Sequence, residues 1–268
     1  MIRLVALDLD GTLLGPDSRV SEADQAAVAE AQRRGVHVSI NTSRWYSIAL
    51  RTARRLELTA PLACHNGAHI REANEGADIL HVRIPLDISR EIASYCDAGG
   101  WETYTTVDGV TYMRTRWQDQ IDPARLPQDM RLAATHAEHV TSDATGFVVF
   151  GEDAVAGLVS EFESRYPGQL AYPIGISETG NPYVTITGPG FDKGTALRRV
   201  CEHLGVPLEE SMAMGDAIPD AAMFELAGVG VAMGNASPEL KALADAEAPS
   251  NSEGGVAWAI RRYVLEAE

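Results

Sequence analysis

Two aspartates at the end of an apolar run are the first residues in the chain whose types and spacing suggest chemistry. The stretch LVALDLDGTLL, residues 4–14, begins as a buried β-strand and ends with Asp8 and Asp10, followed by Gly11 and Thr12. One such acid is explained by capping, in which its side-chain oxygen accepts a backbone hydrogen bond at a turn or helix start. Capping accounts poorly for two, so both carboxylates are candidates for catalysis or metal binding.

Further polar residues stand where later strands are predicted to end or a later helix to begin. In open α/β sheets, ligands bind outside the carboxyl ends of the strands, so groups at those ends meet at one rim. The candidates that share this predicted position are Asp8, Asp10, Thr42, Ser43, Lys193, Asp216 and Asp220. The sequence therefore predicts a crevice that holds several carboxylates and one ammonium group.

The grouped carboxylates indicate a divalent cation and an anionic substrate. Carboxylate oxygens held close together repel one another unless a cation lies among them, and such hard oxygen ligands suit Mg²⁺. An anionic nucleophile approaches a phosphate ester only when a metal ion and a cation such as Lys193 neutralise its charge. Thr42 would donate to phosphate oxygens, one aspartate would be the covalent nucleophile, and a second would donate and accept the proton.

The elements that must position these residues alternate between strand and helix in both terminal parts of the chain. The first strand, a helix and a second strand form a βαβ unit, which implies a parallel pair with a right-handed crossover. From about Pro85 the pattern changes to helix-plus-hairpin units, with Asp108-Gly109 as one hairpin turn. The predicted fold is a doubly wound, mostly parallel Rossmann-like α/β core, residues 1–84 and 188–268, with an inserted α+β domain, residues 85–187.

Four short motifs resemble, in order and spacing, those of the haloacid dehalogenase superfamily. They are DLDGTLL at Asp8–Leu14, NTSR at Asn41–Arg44, FDKGTAL at Phe191–Leu197 and MGDAIPD at Met214–Asp220. The element HNGA at residues 65–68 and the long insert resemble the Cof-type branch, which carries an α/β cap of the C2B kind. The resemblance spans essentially the whole chain and implies a Mg²⁺-dependent phosphohydrolase.

The resemblance also implies roles for the matched acids and for the lysine. Asp8 resembles the nucleophile and Asp10 the general acid and base. The implied metal ligands are Asp8, Asp10 through its carbonyl, and Asp216. Lys193 resembles a phosphate-holding residue, and Asp220 the second acid of the last motif, which orients metal-bound water or the lysine; an ordinary helix-start acid is the alternative for Asp220.

The remaining matched residues belong to the phosphate-binding side of the motifs. Thr42 and Ser43 are expected to bind phosphate, although Ser43 stands where the family usually has Gly. Pro219 stands where the family usually has Asn, which removes a side-chain amide and a backbone N–H. Asn66 is either a simple turn residue or part of the active site, and Arg44 either binds a remote anion of the substrate or forms a surface ion pair.

Composition narrows the choice of partners. The net charge of −16, from 22 basic and 38 acidic residues, argues against nucleic acid, which requires concentrated Lys and Arg. A small phosphorylated metabolite, such as a sugar phosphate, is the expected partner. No apolar stretch approaches the roughly 20 residues that span a bilayer, and the three cysteines form no paired motif, so no membrane partner and a cytoplasmic location are expected. The sequence carries no signal of oligomeric state.

Three alternatives use parts of the same pattern. A phosphomutase or phosphotransferase would share the core and differ only in its products. A signalling receiver also gathers acids, a Thr and a Lys around Mg²⁺ on a doubly wound sheet, but it needs no large insert and no Asp-x-Asp spacing. A degenerate phosphate-ligand binder without turnover is motivated by Ser43 and Pro219.

Overall fold

The computed structural model describes residues 1–74, 76–177 and 180–266 and divides into two compact units. Met1–Leu80 and Phe191–Glu268 form one unit, called here the core unit, and His81–Gly190 form the other, called the inserted unit. The domain bounds placed at 84/85 and 187/188 from the sequence stay a prediction. Within the described residues, no helix is long and apolar enough to cross a membrane.

The first part of the chain builds a βαβ unit followed by a helix and three short strands. Ser21 caps the first helix, since its side chain accepts a hydrogen bond from the backbone N–H of Asp24. In chain order the elements are β1 (Leu4–Leu7), α1 (Glu22–Arg33), β2 (His37–Ile40), α2 (Tyr46–Arg55), β3 (Leu62–Cys64), β4 (His69–Arg71) and β5 (Asp78–His81).

The inserted unit is an antiparallel sheet with two long helices. Its six strands are ordered β10-β11-β9-β6-β7-β8, and only the β7–β8 pair is parallel. The predicted hairpin turn is confirmed, because Asp108 and Gly109 both adopt positive φ, 47° and 78°. The elements are α3 (Leu86–Gly99), β6 (Glu102–Val107), β7 (Val110–Arg114), β8 (Met130–Leu132), β9 (Ala144–Phe150), α4 (Glu152–Arg165), β10 (Ile174–Ile176) and β11 (Pro182–Ile186).

The chain then returns to the core unit and completes its sheet. Ser237 caps a helix that has Pro238 at its first position. The segments DAAMFELAG and SPELKALADA have helix-forming composition, but the α-helix in each is only four residues long. The elements are α5 (Lys193–Leu204), β12 (Ser211–Gly215), α6 (Ala221–Phe224), β13 (Val229–Ala232), α7 (Pro238–Lys241), β14 (Ala246–Glu247) and α8 (Gly255–Ile260).

The sheet of the core unit is parallel and covered on both faces. Its order is β14-β13-β12-β1-β2, so β1 lies between β2 and β12. Val5 and Leu7 pack on one face with residues of α1 and α8, whereas Leu4 and Ala6 pack on the other face with residues of α5. Burial on both faces explains why β1 is a continuous apolar run. The doubly wound α/β core with an inserted α+β domain is confirmed.

Candidate active site

The parallel register of the central strands brings two of the predicted carboxylates to the same edge of the sheet. Asp8 follows β1 directly, and its backbone N–H donates to the carbonyl oxygen of Met214 in β12 at 3.0 Å. Strand β12 ends one residue later, at Gly215, so Asp216 leaves the sheet beside Asp8. Asp8 is only 5% exposed.

Lys193 reaches this edge from the first turn of α5. Its Nζ donates to Asp8 Oδ1 at 2.7 Å and to Asp220 Oδ1 at 2.5 Å, and the residue is 4% exposed. Burial would lower the pKa of the ammonium group, but the charges of Asp220 and Asp8 outweigh burial and raise that pKa. The lysine is therefore a fixed positive charge between two carboxylates.

Asp220 is the most constrained acid of the group. Its side chain is fully buried, Oδ1 accepts from Lys193, and Oδ2 accepts from the backbone N–H groups of Asp216 and Ala217, each at 3.0 Å. The carboxylate thus ties α5 to the loop after β12. Asp220 thus contacts the lysine and also stands directly before α6, so its role toward metal-bound water or the lysine stays a prediction.

Three carboxylates form a cluster that could hold a metal ion. One side-chain oxygen each from Asp8, Asp216 and Asp220 lies within 4.8 Å of the others. Burial raises the pKa of Asp8 well above its usual range, against the opposing charge of Lys193, and burial followed by the charge of Asp220 raises the pKa of Asp216 to about 7. A single ammonium group does not balance three carboxylates, so the oxygen-rich cluster fits a divalent cation.

Gly11 gives the cluster its space. Its φ is +76°, and a Cβ built on it would lie 2.1 Å from Asp216 Oδ2, where no side chain fits. The next residue, Thr12, donates from its hydroxyl to Asp216 Oδ1 at 3.3 Å. Gly11 and Thr12, which follow Asp8 and Asp10 in the sequence, therefore pack against Asp216.

Asp10 lies outside the carboxylate cluster and faces Arg44. Arg44 Nε donates to Asp10 Oδ2 at 2.7 Å and a terminal nitrogen of Arg44 donates to Oδ1, so the pair is bidentate. Each side chain is one-third exposed. The side-chain cluster thus consists of Asp8, Asp216 and Asp220, whereas the predicted metal ligands are Asp8, Asp216 and the Asp10 carbonyl. Ligation by the Asp10 carbonyl stays a prediction.

The predicted phosphate-binding loop after β2 is held against the turn that contains Asn66. The Thr42 hydroxyl accepts from the Arg44 N–H at 3.1 Å, and the Thr42 carbonyl accepts from the Asn66 N–H at 3.0 Å. Thr42 is fully buried, Asn66 is 4% exposed with φ of 52°, and Ser43 is half-buried between Thr42 and Arg44. The loop therefore brings together four predicted residues, whose roles toward phosphate stay predictions.

Two residues that support Lys193 escaped the sequence argument. Asn41 is 2% exposed, and its Nδ2 donates to the Lys193 carbonyl at 2.7 Å, which fixes the start of α5 against the end of β2. Asp192 caps α5 by accepting from the Thr195 N–H at 2.7 Å, while the Thr195 hydroxyl accepts from the Asp192 N–H. The Asp-x-x-Thr spacing around Lys193 is a capping-box pattern that carries this information. The contact of Asn41 has no local signal.

Comparison with known proteins decides the family. The sequence matches the family model of haloacid dehalogenase-like hydrolases over residues 5–260. The chain belongs to this family. A 5-amino-6-(5-phospho-D-ribitylamino)uracil phosphatase of Bacillus subtilis is 30% identical over 267 residues, which cover 98% of this chain and 96% of the relative. An HMP-PP phosphatase of Cronobacter sakazakii is 30% identical over 247 residues, covering 90% of this chain and 88% of the relative.

Solved structures agree with this membership. A haloacid dehalogenase-like hydrolase from B. subtilis superimposes with a TM-score of 0.83 at 25% identity, covering 98% of this chain and all of that one. A structure from Thermotoga maritima gives a TM-score of 0.77 at 26% identity, covering 98% and 97%. As a haloacid dehalogenase-like hydrolase with phosphatases among its relatives, the protein is an enzyme of the phosphatase type, and the signalling-receiver alternative is wrong.

Proposed function

We propose that this protein hydrolyses small phosphomonoesters in a Mg²⁺-dependent reaction through a phosphate ester on Asp8. The observation that carries the proposal is the contact of one buried ammonium group, Lys193, with both Asp8 and Asp220 beside Asp216. A carboxylate and a phosphate group are both anions and repel each other in water. A fixed cation beside the carboxylate reduces this repulsion and holds the carboxylate in place, so the arrangement suits attack on a phosphate group.

In the first half of the proposed reaction, a carboxylate oxygen of Asp8 attacks phosphorus and the bond to the leaving oxygen breaks. Lys193 holds Asp8 and compensates negative charge at the phosphate. Thr42 and Ser43, in the loop after β2, donate hydrogen bonds to phosphate oxygens. Asp10 gives its proton to the leaving alkoxide, so the alcohol departs neutral.

In the second half, Asp10 takes a proton from a water molecule as that water attacks the phosphorus of the ester on Asp8. The bond between Asp8 and phosphorus breaks, which returns the free carboxylate and inorganic phosphate. Asp220 keeps Lys193 in place throughout through its own hydrogen bonds. Both halves use the same groups, with Asp10 as the acid in the first and the base in the second.

The metal ion belongs to this proposal as the partner of the carboxylate cluster. Asp8, Asp216 and the Asp10 carbonyl are the groups that would hold it, with oxygen ligands of the kind Mg²⁺ prefers. A bound divalent cation supplies charge neutralisation for the phosphate and orients it toward Asp8. The raised pKa values of Asp8 and Asp216 support this assignment, since burial disfavours both charged carboxylates and Lys193 alone does not offset that effect.

The proposed substrate is the phosphate ester of a small polar alcohol. The relatives named above act on a phosphoribitylamino-uracil and on HMP-PP, which are small phosphorylated metabolites. The net charge of −16 supports small anions held at a local site rather than nucleic acid. A phosphomutase or phosphotransferase is the alternative on the same core, and a non-catalytic binder is the alternative that Ser43 and Pro219 motivate.

The test is a panel of phosphate esters assayed with and without Mg²⁺ for wild type, Asp8→Asn and a matched surface control, Asp153→Asn, which changes an exposed acid of α4. We expect phosphate release that needs Mg²⁺, survives Asp153→Asn and falls by at least ~10³-fold in Asp8→Asn. Full activity of Asp8→Asn would refute the mechanism. Rearranged or transferred phosphate would identify a mutase or phosphotransferase, and ligand-induced stabilisation without turnover would identify a binder.

A further inference from the structure

The two acids of the first motif are each paired with a different cation. Asp8 contacts the buried Lys193, whereas Asp10 contacts Arg44, whose side chain is one-third exposed. The first contact is a point charge on one oxygen of Asp8. The second is a planar fork that engages both oxygens of Asp10, which fixes the rotation of that carboxylate as well as its position.

The backbone of Arg44 is also held on both sides. Its N–H donates to the Thr42 hydroxyl at 3.1 Å, and its carbonyl accepts from the His65 N–H at 3.0 Å. The arginine therefore starts from the same loop that carries the proposed phosphate donors and reaches across to the acid. An ordinary surface ion pair between mobile side chains has no such anchoring.

We propose that Arg44 is a positioning residue that orients Asp10 for proton transfer to the leaving oxygen, an inference that rests on the proposed phosphatase function. A carboxylate offers about four acceptor sites, and the fork occupies one on each oxygen. The acid form that donates carries its proton on one oxygen, and the remaining acceptor sites of the carboxyl still accept from the fork. Because proton transfer depends on the alignment of the acid, loss of the fork slows the step that needs the proton.

This role makes a prediction that depends on the leaving group. A p-nitrophenolate leaves readily without a proton, whereas a simple alkoxide needs one. Removing the fork should therefore lower kcat/KM, which reports the first half of the reaction, for an alkyl phosphate and spare kcat/KM for p-nitrophenyl phosphate, whereas kcat for either ester also contains the water attack that uses Asp10 as base. A residue that binds the substrate would instead change KM for its substrates, and a residue with only a structural role would affect both esters alike.

The experiment measures kcat and KM for both esters in wild type, Arg44→Gln, Arg44→Lys, Asp10→Asn and the double variant Asp10→Asn with Arg44→Gln. The control is Arg3→Gln, which removes a comparable exposed ion pair of the core unit, Arg3 Nη1 to Glu210 Oε2 at 2.9 Å. We expect Arg44→Gln to lower kcat/KM on the alkyl ester by about 10- to 100-fold, part of the 10²–10⁴-fold typical of a general acid. The value of kcat/KM for p-nitrophenyl phosphate should change less than ~3-fold, which also shows that the variant is folded.

Two further readings decide whether Arg44 acts through Asp10. Arg44→Lys keeps the charge but not the fork, so we expect it to show the same preference for the good leaving group. In the Asp10→Asn background, Arg44→Gln should add no further loss. Equal losses of kcat/KM on both esters, no loss of kcat/KM on the alkyl ester, a change confined to KM, or additive losses in the double variant would overturn the proposal. Wild-type phosphate release tests the proposed function separately, and its absence would overturn both.

Discussion

The buried acid Asp220 offers the sharpest test of how the site is held together. In the wild type, Asp220 Oδ2 accepts from the backbone N–H groups of Asp216 and Ala217, each at 3.0 Å, and in Asp220→Asn these two N–H groups still need an acceptor. If the amide oxygen serves them, its NH₂ group faces the ammonium of Lys193 at the position of the present 2.5 Å contact, and two donors oppose each other. If the amide is flipped, both N–H groups lose their acceptor. Neither orientation satisfies the site.

The expected cost follows from these contacts. Breaking a buried ion pair by removing one partner costs about 3–5 kcal/mol, and Lys193 keeps Asp8 as a second partner, so we expect about 3 kcal/mol, the lower end. The measurement is the urea midpoint of the metal-free protein at pH 8 at an unchanged m-value. Turnover should also fall, because Lys193 is displaced.

The matched control is Asp216→Asn, a second change of acid to amide in the same cluster. Among the described residues, the Asp216 carboxylate accepts one side-chain hydrogen bond, from Thr12 at 3.3 Å, and burial raises its pKa to about 7. Its charge is therefore unfavourable in the metal-free protein, and its removal should leave stability unchanged or higher. Equal destabilisation by both variants, or a cost below ~1 kcal/mol for Asp220→Asn, would refute the reasoning.

Three further predictions follow from the same core unit. Gly11→Ala should abolish Mg²⁺-induced stabilisation in a thermal-shift assay, because the new Cβ would lie 2.1 Å from Asp216 Oδ2; unchanged stabilisation would contradict this. The pKa of Asp216 is raised from 3.8 to about 7, so the folded protein binds this proton more tightly than the unfolded chain does. The free energy of unfolding of the metal-free protein should therefore fall as pH rises from 4 to 8, and Asp216→Asn should make this fall smaller. Stabilisation by Mg²⁺ should grow over that range, since the metal needs ionised carboxylates. Asp24→Ala should lower the free energy of unfolding in urea by about 2–4 kcal/mol. Asp24 is 1% exposed, and its carboxylate accepts from the Ser21 hydroxyl at 2.6 Å and from the N–H of Ala257 at 2.7 Å. The control, Ser21→Ala, should cost about 1 kcal/mol.

The sequence predicts the sheet of the core unit well because its signals are local. The apolar run of β1, the capping pattern at Ser21 and the crossover rule together place β1 beside a parallel β2. The lengths of the late helices were not predictable in this way. A segment such as DAAMFELAG has helix-forming composition over its whole length, but only Ala221–Phe224 form α-helix, and Val229 starts the next strand five residues later.

In the candidate site, too, the features set by topology could be predicted from the sequence, whereas the contacts between residues far apart in sequence could not. The convergence of Asp8 and Asp216 follows from strand ends in a parallel sheet, which is a rule of topology. The partner of each acid does not follow from it. The choice of Arg44 for Asp10 and of Lys193 for Asp8 and Asp220 depends on side-chain directions across loops that are far apart in sequence. Those contacts decide which acid belongs to the carboxylate cluster.

Pro219, which stands where the family usually has Asn, changes the last motif without changing the backbone around it. Pro219 is the middle residue of a short 3₁₀ turn, Ile218–Asp220, and a proline near the start of a turn gives up an N–H that would lack a partner there. The N–H that the turn does use belongs to Asp220, which donates to the Ala217 carbonyl at 2.8 Å. Proline therefore leaves the backbone that aims Asp220 at Lys193 intact. What the substitution removes is a side-chain amide, so we expect it to affect phosphate affinity rather than the positions of the acids.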